Sequence, residues 1–500
     1  MRNLILNKKL VLTVTGLMLI LLIIKGILLW TAKPKVTVDY VAEYNKVTQP
    51  QNYDPNKNAA NDYQKAFDSF IEMPGVIRWA ISPSSRELLY QLQKKRNTDF
   101  DQNGIKQRER FTPMTSEIHI HHIDWPTDYN EAEQNILRQW LASNEKAFEH
   151  FRNASLKQYY WFERNVDIKG DAGMSGMLYP EVGSLCNLVD AMIWNAKLQT
   201  AEGHVQSVFD DVLTCYRAGQ HNCRTPSLLT EQFLGLRMKE NALTAVICIL
   251  DRVKIGPADF KKVQDALQEE FNKDIYLPDF EAEKIMRYDV LQRLFIDNGK
   301  GSGRLAWSAV KGVMTLCGVE ENFKFRKAMF LCCLFGPTRN AMVKRIEETF
   351  AFFTSARTQT PWQLHSKDPN YFNNLGSVPC IDCGNFSLDL FFPVPSPSIL
   401  HKYYQVKARG EALLTILAIQ RFKAEKGLLP SSLDELVSDG YLHHHPLDPY
   451  SGGTLVYRPK GNDFILYSVG ENFVDDGGKE PDRTTSNPTE DIIFWPVKKF

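Results

Sequence analysis

An excess of charge of either sign is what this sequence lacks. Lys plus Arg and Asp plus Glu each number 59, so the chain is formally neutral at pH 7. A nucleic-acid binder neutralises phosphates with a basic surface, and this balance argues against that class apart from a local patch. Cysteine is scarce, with nine in 500 residues, and the odd total leaves at least one unpaired within a monomer. No P-loop or dinucleotide fingerprint occurs. Gly173-Met174-Ser175-Gly176 approaches a nucleophile elbow, but Met177 stands where G-x-S-x-G needs its second glycine. After residue 30 there is no further run long and apolar enough to span a bilayer, and Phe330 to Gly336 is much too short. Hydrophobic content of 43% and charged content of 24% are those of a folded chain, and the length implies two or three domains.

What is present begins with one hydrophobic segment, Leu10 to Trp30, interrupted only by Lys25. At about 1.5 Å rise per residue it crosses a hydrocarbon core, with Lys25 snorkelling and Trp30 at the interface. A cleaved signal peptide would place its h-region at Leu10 to Ile24. Trp30 then occupies a position that wants a small residue, and no lipobox cysteine is present, so the segment reads as an uncleaved anchor. The short basic tail 1–9 reads as cytoplasmic and the body as extracytoplasmic, which describes a single-pass protein of a bacterial inner membrane facing the periplasm.

The expected fold class is mainly α: an N-terminal transmembrane helix, an α-helical array with tetratricopeptide-like hairpins, and a small α+β C-terminal domain. Residues 31–130 read as a linker and irregular region, 131–354 as the helical domain, 355–400 as a connector and 401–500 as the terminal unit. Asn130 caps a helix through residue 155, and Thr225-Pro226 has the pattern of an N-cap and first helical position for the next long helix. The pair at 187–219 looks like a tetratricopeptide hairpin, without a fixed repeat period. In the terminal unit a helix from His401 to Lys426 stops at Gly427, Ser432 to Glu435 has capping-box spacing, and TLVYRP and DFILYSVG form a hairpin around Lys460-Gly461-Asn462. DIIFWPV reads as a last strand.

The order RFKAEKGLLPSSLDEL, PLDPYSGGTLVYRP, DFILYSVGENFVDDGG and EDIIFW resembles the C-terminal domain of type II secretion major pseudopilins. The likeness covers a fifth of the chain. It implies a small α+β fold and a structural calcium ion in the acidic loop, where Asp475, Asp476, Asp482 and Asp491 supply hard oxygens and Gly477-Gly478 lets the backbone fold tightly. Asn472 stands where that family often has an acid. The G-F-T-L-x-E signature of a pilin helix is missing, and a long body intervenes, so the module reads as reused rather than polymerising. The segments NAANDYQKAF and SNEKAFEHFRNASLKQYYWF, with the helices after Tyr179, are similar to uncharacterised bacterial membrane-anchored proteins ending in the same module.

Other residues have the chemistry of sites. His119 and His121 in EIHIHHIDW fall on one face of a strand, as a metal pair requires, with Asp124 nearby. The spacing fits no metallohydrolase signature, so a histidine-rich polar loop is the plainer reading. His443-His444-His445 reads as a solvated turn. Cys380-x-x-Cys383 is half a zinc site or a small disulfide loop, with Cys332 and Cys333 the candidates for the other half. The aromatics of QYYWF at 158–162 are core first and a groove for peptide or glycan second. The leading expectation is a non-catalytic envelope protein that binds or scaffolds protein partners and not nucleic acid; the alternatives are a metal-dependent hydrolase using His119 and His121, or an accessory of a type II secretion-like system.

Overall fold

The computed structural model describes residues 14–18, 20, 24, 31–72, 77–79, 118–120, 125–128, 130–166, 173–177, 180–204, 208–224, 226–253, 255–274, 276–316, 323–371, 398–479 and 491–497. The protein is mainly helical with a small three-stranded sheet. Among the described residues no helix is long and apolar enough to cross a membrane, and most of Leu10 to Trp30 lies outside them.

The segment from residue 31, read as a linker, docks on the body. Helix α1 (Tyr40–Thr48) is capped by Asp39, whose side chain accepts from the Ala42 N–H. Gln292 Oε1 accepts from the backbone N–H groups of Thr37 and Val38, and Asn45 exchanges hydrogen bonds with the Arg164 backbone in both directions. Its polar residues are spent on long-range contacts, which local sequence pattern does not reveal. Helix α2 (Ala60–Ser69) follows, then a short parallel pair, β1 (Ile77–Trp79) and β2 (Ile118–Ile120), in register Ile77 to Ile118.

Asn130 caps α3 (Glu131–Ser143) with a full capping box to Glu133, as its sequence position implies. The helix does not continue to 155. It breaks at Asn144, whose buried amide accepts from the Ile71 N–H at 2.8 Å and donates to the Ile71 carbonyl at 3.2 Å. Helix α4 (Glu145–Ser155) then packs on α2 through Phe148, Phe151 and Tyr63, all fully buried. Each such aromatic contributes on the order of 2–3 kcal/mol by removal from water.

Three long helices stack in sequence order: α5 (Pro180–Ala201), α6 (Val208–Arg224) and α7 (Leu229–Arg252). The last begins three residues later than the Thr225-Pro226 pattern implies. Ser227 donates to the Asn222 carbonyl, Leu228 is extended, and Glu231 accepts the Leu228 N–H, so the cap is a glutamate reaching back rather than a threonine. Thr225 lies outside the described residues. Helices α8 (Pro257–Lys273), α9 (Glu281–Leu294), α10 (Trp307–Leu316), α11 (Phe323–Phe335), α12 (Arg339–Ala356) and α13 (Pro361–Lys367) continue the body.

Helix α14 (Ser398–Lys426) ends at Gly427 with φ +76°, and α15 (Leu433–Ser438) is capped by Ser432. Strands β3 (Val456–Lys460), β4 (Asp463–Ser468) and β5 (Ile492–Trp495) form an antiparallel sheet in that order, with Gly461 at φ +62° in the hairpin turn. Helix α14 serves two masters. One side carries the sheet, and the other packs along α7 and α8, so a single apolar core runs from Ala59 to Trp495. Glu240 on α7 binds Lys402 and, at 3.5 Å, Arg409. Gln264 on α8 donates to the Tyr441 carbonyl at 2.7 Å and accepts from Arg421 at 3.2 Å.

One buried histidine contributes stability to the body that is lost in acid. His221 Nε2 faces the Lys157 carbonyl at 2.9 Å, so it carries the proton, and Nδ1 accepts from the Tyr63 hydroxyl at 2.7 Å. Burial, with Arg224 and Arg217 nearby, lowers its pKa to about 4. Between about pH 6.5 and 4 the unfolded chain binds this proton and the folded one does not, so stability falls as pH falls, by up to about 3 kcal/mol. Asp190, whose carboxyl burial raises to about 7, acts with the opposite sign in the same window. The comparison is therefore between wild type and His221→Gln: denaturation midpoints measured from pH 7 down to 4 should converge as the wild type loses its advantage. A constant gap across that range would contradict the assignment.

Candidate functional site

The site begins with two glycines. Helices α6 and α7 cross where a Cβ on Gly219 would lie 2.5 Å from the Gly235 carbonyl oxygen, and a Cβ on Gly235 would lie 2.7 Å from that of Gly219. Only glycine permits this approach. About one turn away on each helix, the crossing brings Tyr216 and Lys239 side by side. Asp274, the residue that ends α8, meets them both. The Lys239 ammonium and the Tyr216 hydroxyl (2.7 Å) both donate to Asp274 Oδ2. All three side chains are buried. The ammonium also lies 5.3 Å from the Tyr216 ring centroid and 5.8 Å from that of Tyr276.

Burial alone would raise the Asp274 carboxyl, but Lys239 and the Tyr216 hydroxyl outweigh it and hold it below the usual carboxylate range. Burial, and then Asp274 itself, push the Tyr216 phenol well up. The second carboxylate oxygen, Oδ1, is shut off from solvent and has no hydrogen-bond partner among the described residues. That is costly unless something else supplies a donor.

Asp274 lines a cavity of about 140 Å³ bounded by the middles of α6 and α7, the C-terminal end of α8 and helix α14. Tyr403 and Gly410 of α14 form the opposite wall, with Lys407, Glu411 and His444 toward the opening. Lys407 is exposed and lies 5.8 Å from the Tyr403 ring centroid. Burial raises the Glu411 carboxyl, with His444 at 3.8 Å and Lys407 acting against it. Gly410 sits in a helix interior, where glycine costs about 1 kcal/mol relative to alanine. Here a Cβ would lie 3.3 Å from the Phe271 ring. The missing side chain lets α14 approach α8 and leaves the cavity open.

Two other hollows differ in character. One of about 340 Å³ between α6, α7 and α8 has apolar walls, among them Leu213, Val246 and Leu267, with Asp210 and Lys262 exposed at its rim. The other, of about 30 Å³, lies beside Arg164, which pairs with Glu181 at 2.5 Å and Glu231 at 2.8 Å.

The acidic loop is held by protein donors. Asp475 accepts from the Tyr467 hydroxyl at 2.7 Å, the Gly477 N–H at 2.9 Å and the Arg458 guanidinium at 3.1 Å. The Tyr467 hydrogen bond leads in holding its carboxyl low. Asp491 accepts from the Gly478 N–H at 2.7 Å and the Asp476 N–H at 3.3 Å, while Asp476 accepts from Asn472 at 2.8 Å. Calcium takes six to eight oxygens. The described carboxylates, one of them on a guanidinium, do not by themselves make that cage, and no group of three His, Cys, Asp or Glu among the described residues could hold a metal ion. Asp482 lies outside them.

His119 lies on β2, where only the backbone is described, and His121 and Asp124 lie outside the described residues. Of the histidine run, His445 is 2.7 Å from Asp434 and exposed, and only His444 reaches the cavity. Cys333 is a buried free thiol and Cys332 is disulfide-bonded; Cys380 and Cys383 lie outside the described residues. Of QYYWF, Tyr159 is buried, and Tyr160 and Trp161 are partly buried.

Lys239, Asp274 and Tyr216 were not singled out from sequence. The available signals were a lysine one turn after a glycine on the apolar stripe of GLRMKENALTAV, and a glycine inside the long helix of the terminal unit. No protein-family profile, curated protein or solved structure matches this chain.

Proposed function

We propose that this chain is a membrane-anchored, non-catalytic binding protein of the bacterial envelope, with its body outside the cytoplasm and its ligand site in the cavity beneath α14. The observation that carries the binding site is the open cavity of about 140 Å³ itself, whose wall includes the buried ion pair of Lys239 and Asp274. Asp274 Oδ2 is pinned by Lys239 and Tyr216, which holds that wall in place as recognition requires. The anchor is supported by Val14, Leu17, Met18, Ile20 and Ile24, which are helical and exposed. The disulfide at Cys332 suits an oxidising compartment. The pseudopilin-like reading of the terminal unit rests on its motifs, and the observed helix, hairpin and third strand are compatible with it. A calcium ion in the loop rests on that resemblance alone and would need Asp482 and a displaced Arg458.

Protease treatment of intact spheroplasts tests the placement. The body should be digested from outside while a short N-terminal fragment stays with the membrane. Protection of the body until the membrane is lysed, or its release without detergent, would refute the anchored, outward-facing reading.

A further inference from the structure

We infer that the pair of helices α10 and α11 is a second membrane contact, which lays exposed apolar and basic residues on the anionic surface of the bilayer that holds the anchor. The inference rests on the reading of Leu10 to Trp30 as that anchor. Position comes first. The Ser308 hydroxyl, at the start of α10, donates to the Ala32 carbonyl at 2.9 Å. Ala32 is two residues past Trp30, and two residues of chain reach at most about 7 Å. The start of α10 is therefore fixed close to where the chain leaves the lipid. Trp307 in turn meets Phe330 of α11 edge to face, with ring centroids 5.7 Å apart, which brings α11 to the same place.

Surface chemistry agrees. Lys327, Leu331 and Phe335 follow one another at four-residue spacing, so they share a face of α11. All three are exposed, Leu331 by 43% and Phe335 by 61%, while Met329, Cys332 and Cys333 of the same helix are buried. Arg326, Lys311 on α10 and Lys33 beside Ala32 are further exposed cations. Neither helix contains Asp or Glu; Glu320 and Glu321, in the link between them, lie outside the described residues. An apolar stripe with basic residues beside it is the composition of a helix that lies in a bilayer interface, apolar side down and cations at the phosphates. A second protein could also cover apolar residues, but cations of one sign beside the anchor favour the lipid surface.

The test is photocrosslinking of the full chain in vesicles of equal parts phosphatidylcholine and phosphatidylglycerol. Benzoylphenylalanine replaces Leu331 or Phe335 on α11, or, as controls, Leu428 or Leu447 of the terminal unit, which are comparably exposed at 58% and 64%. Phospholipid adducts, read by mass, are expected at both α11 positions and at neither control. The Phe335 variant decides if the Leu331 variant fails to fold, since there one aromatic replaces another. Lys327→Gln, or vesicles of phosphatidylcholine alone, should lower the adduct yield several-fold. Alkaline carbonate extraction reads the anchor separately. A chain that resists extraction yet gives no adduct at either α11 position overturns the inference and leaves the anchor standing. Equal yields at all four positions overturn it too, because the reagent then reports exposure alone. A yield indifferent to Lys327→Gln and to lipid charge overturns the choice of an anionic surface. A chain stripped by carbonate ends the anchored reading; adducts on α11 then still support the docking, and their absence overturns both.

Discussion

Lys239→Met is expected to destabilise the protein by roughly 3–5 kcal/mol, because it leaves the buried carboxylate of Asp274 without its cation. The Tyr216 hydroxyl remains, but a neutral donor does not replace an ammonium in a buried setting. Lys239→Met/Asp274→Leu removes both charges and should recover much of the loss, since apolar replacement of a buried pair is often close to neutral. The double-mutant cycle measured by denaturant unfolding reads this coupling directly. A cost below about 1 kcal/mol for the single variant would mean that the pair is solvated in solution, and that the cavity is far wetter than the packing implies.

Asp448→Ala should be comparably damaging in the terminal unit. Asp448 is buried, and its carboxylate accepts from the Ser468 hydroxyl at 2.7 Å, the Tyr450 N–H at 3.0 Å and the Val469 N–H at 3.1 Å. The Tyr450 bond closes the D-P-Y turn, and the other two tie that turn to the end of β4. Truncation leaves three donors inside the fold without an acceptor, at roughly 1–3 kcal/mol each before relaxation, so a net loss of about 3–5 kcal/mol is expected. Asp448→Asn keeps one acceptor oxygen and should lose about half as much. Limited proteolysis separates local from global failure. Because α14 belongs to the common core, new cleavage should appear in the helices of the body as well as in residues 440–470. Cleavage confined to the terminal unit would show that the two parts unfold independently.

Much of the terminal unit was readable because its punctuation is local. Gly427 and Gly440 stop helices in the left-handed conformation, Ser432 caps, and Lys460-Gly461-Asn462 turns the hairpin. Each signal acts over a few residues and needs no knowledge of the rest of the fold. The body was legible only where the same holds, as at Asn130 with Glu133. It was misread where a distant group intervened. Asn144 breaks a helix because Ile71 claims its amide, and Glu231 displaces the expected cap while also holding Arg164 and the Tyr44 hydroxyl. The cavity was invisible for the same reason. Lys239 is buried because two glycines bring α6 against α7, and Asp274 because α14 covers it, and neither approach is a local feature of the sequence. The acidic loop drew attention because its residues are adjacent in sequence, yet its described acids are already committed to nearby donors.

The double duty of α14 has a consequence for biogenesis. Lys402 meets Glu240 across 162 residues of chain, and Tyr441 meets Gln264 across 177, so the seam that closes the body is non-local. Such contacts form late, because the intervening chain must be ordered before they compensate its lost freedom. During synthesis the faces of α7 and α8 emerge well before α14 does. A nascent chain would therefore carry an apolar flank and an uncovered Lys239–Asp274 pair until its last fifth arrives. That interval is when a holdase has most to offer, and when truncated products become targets for quality-control proteases.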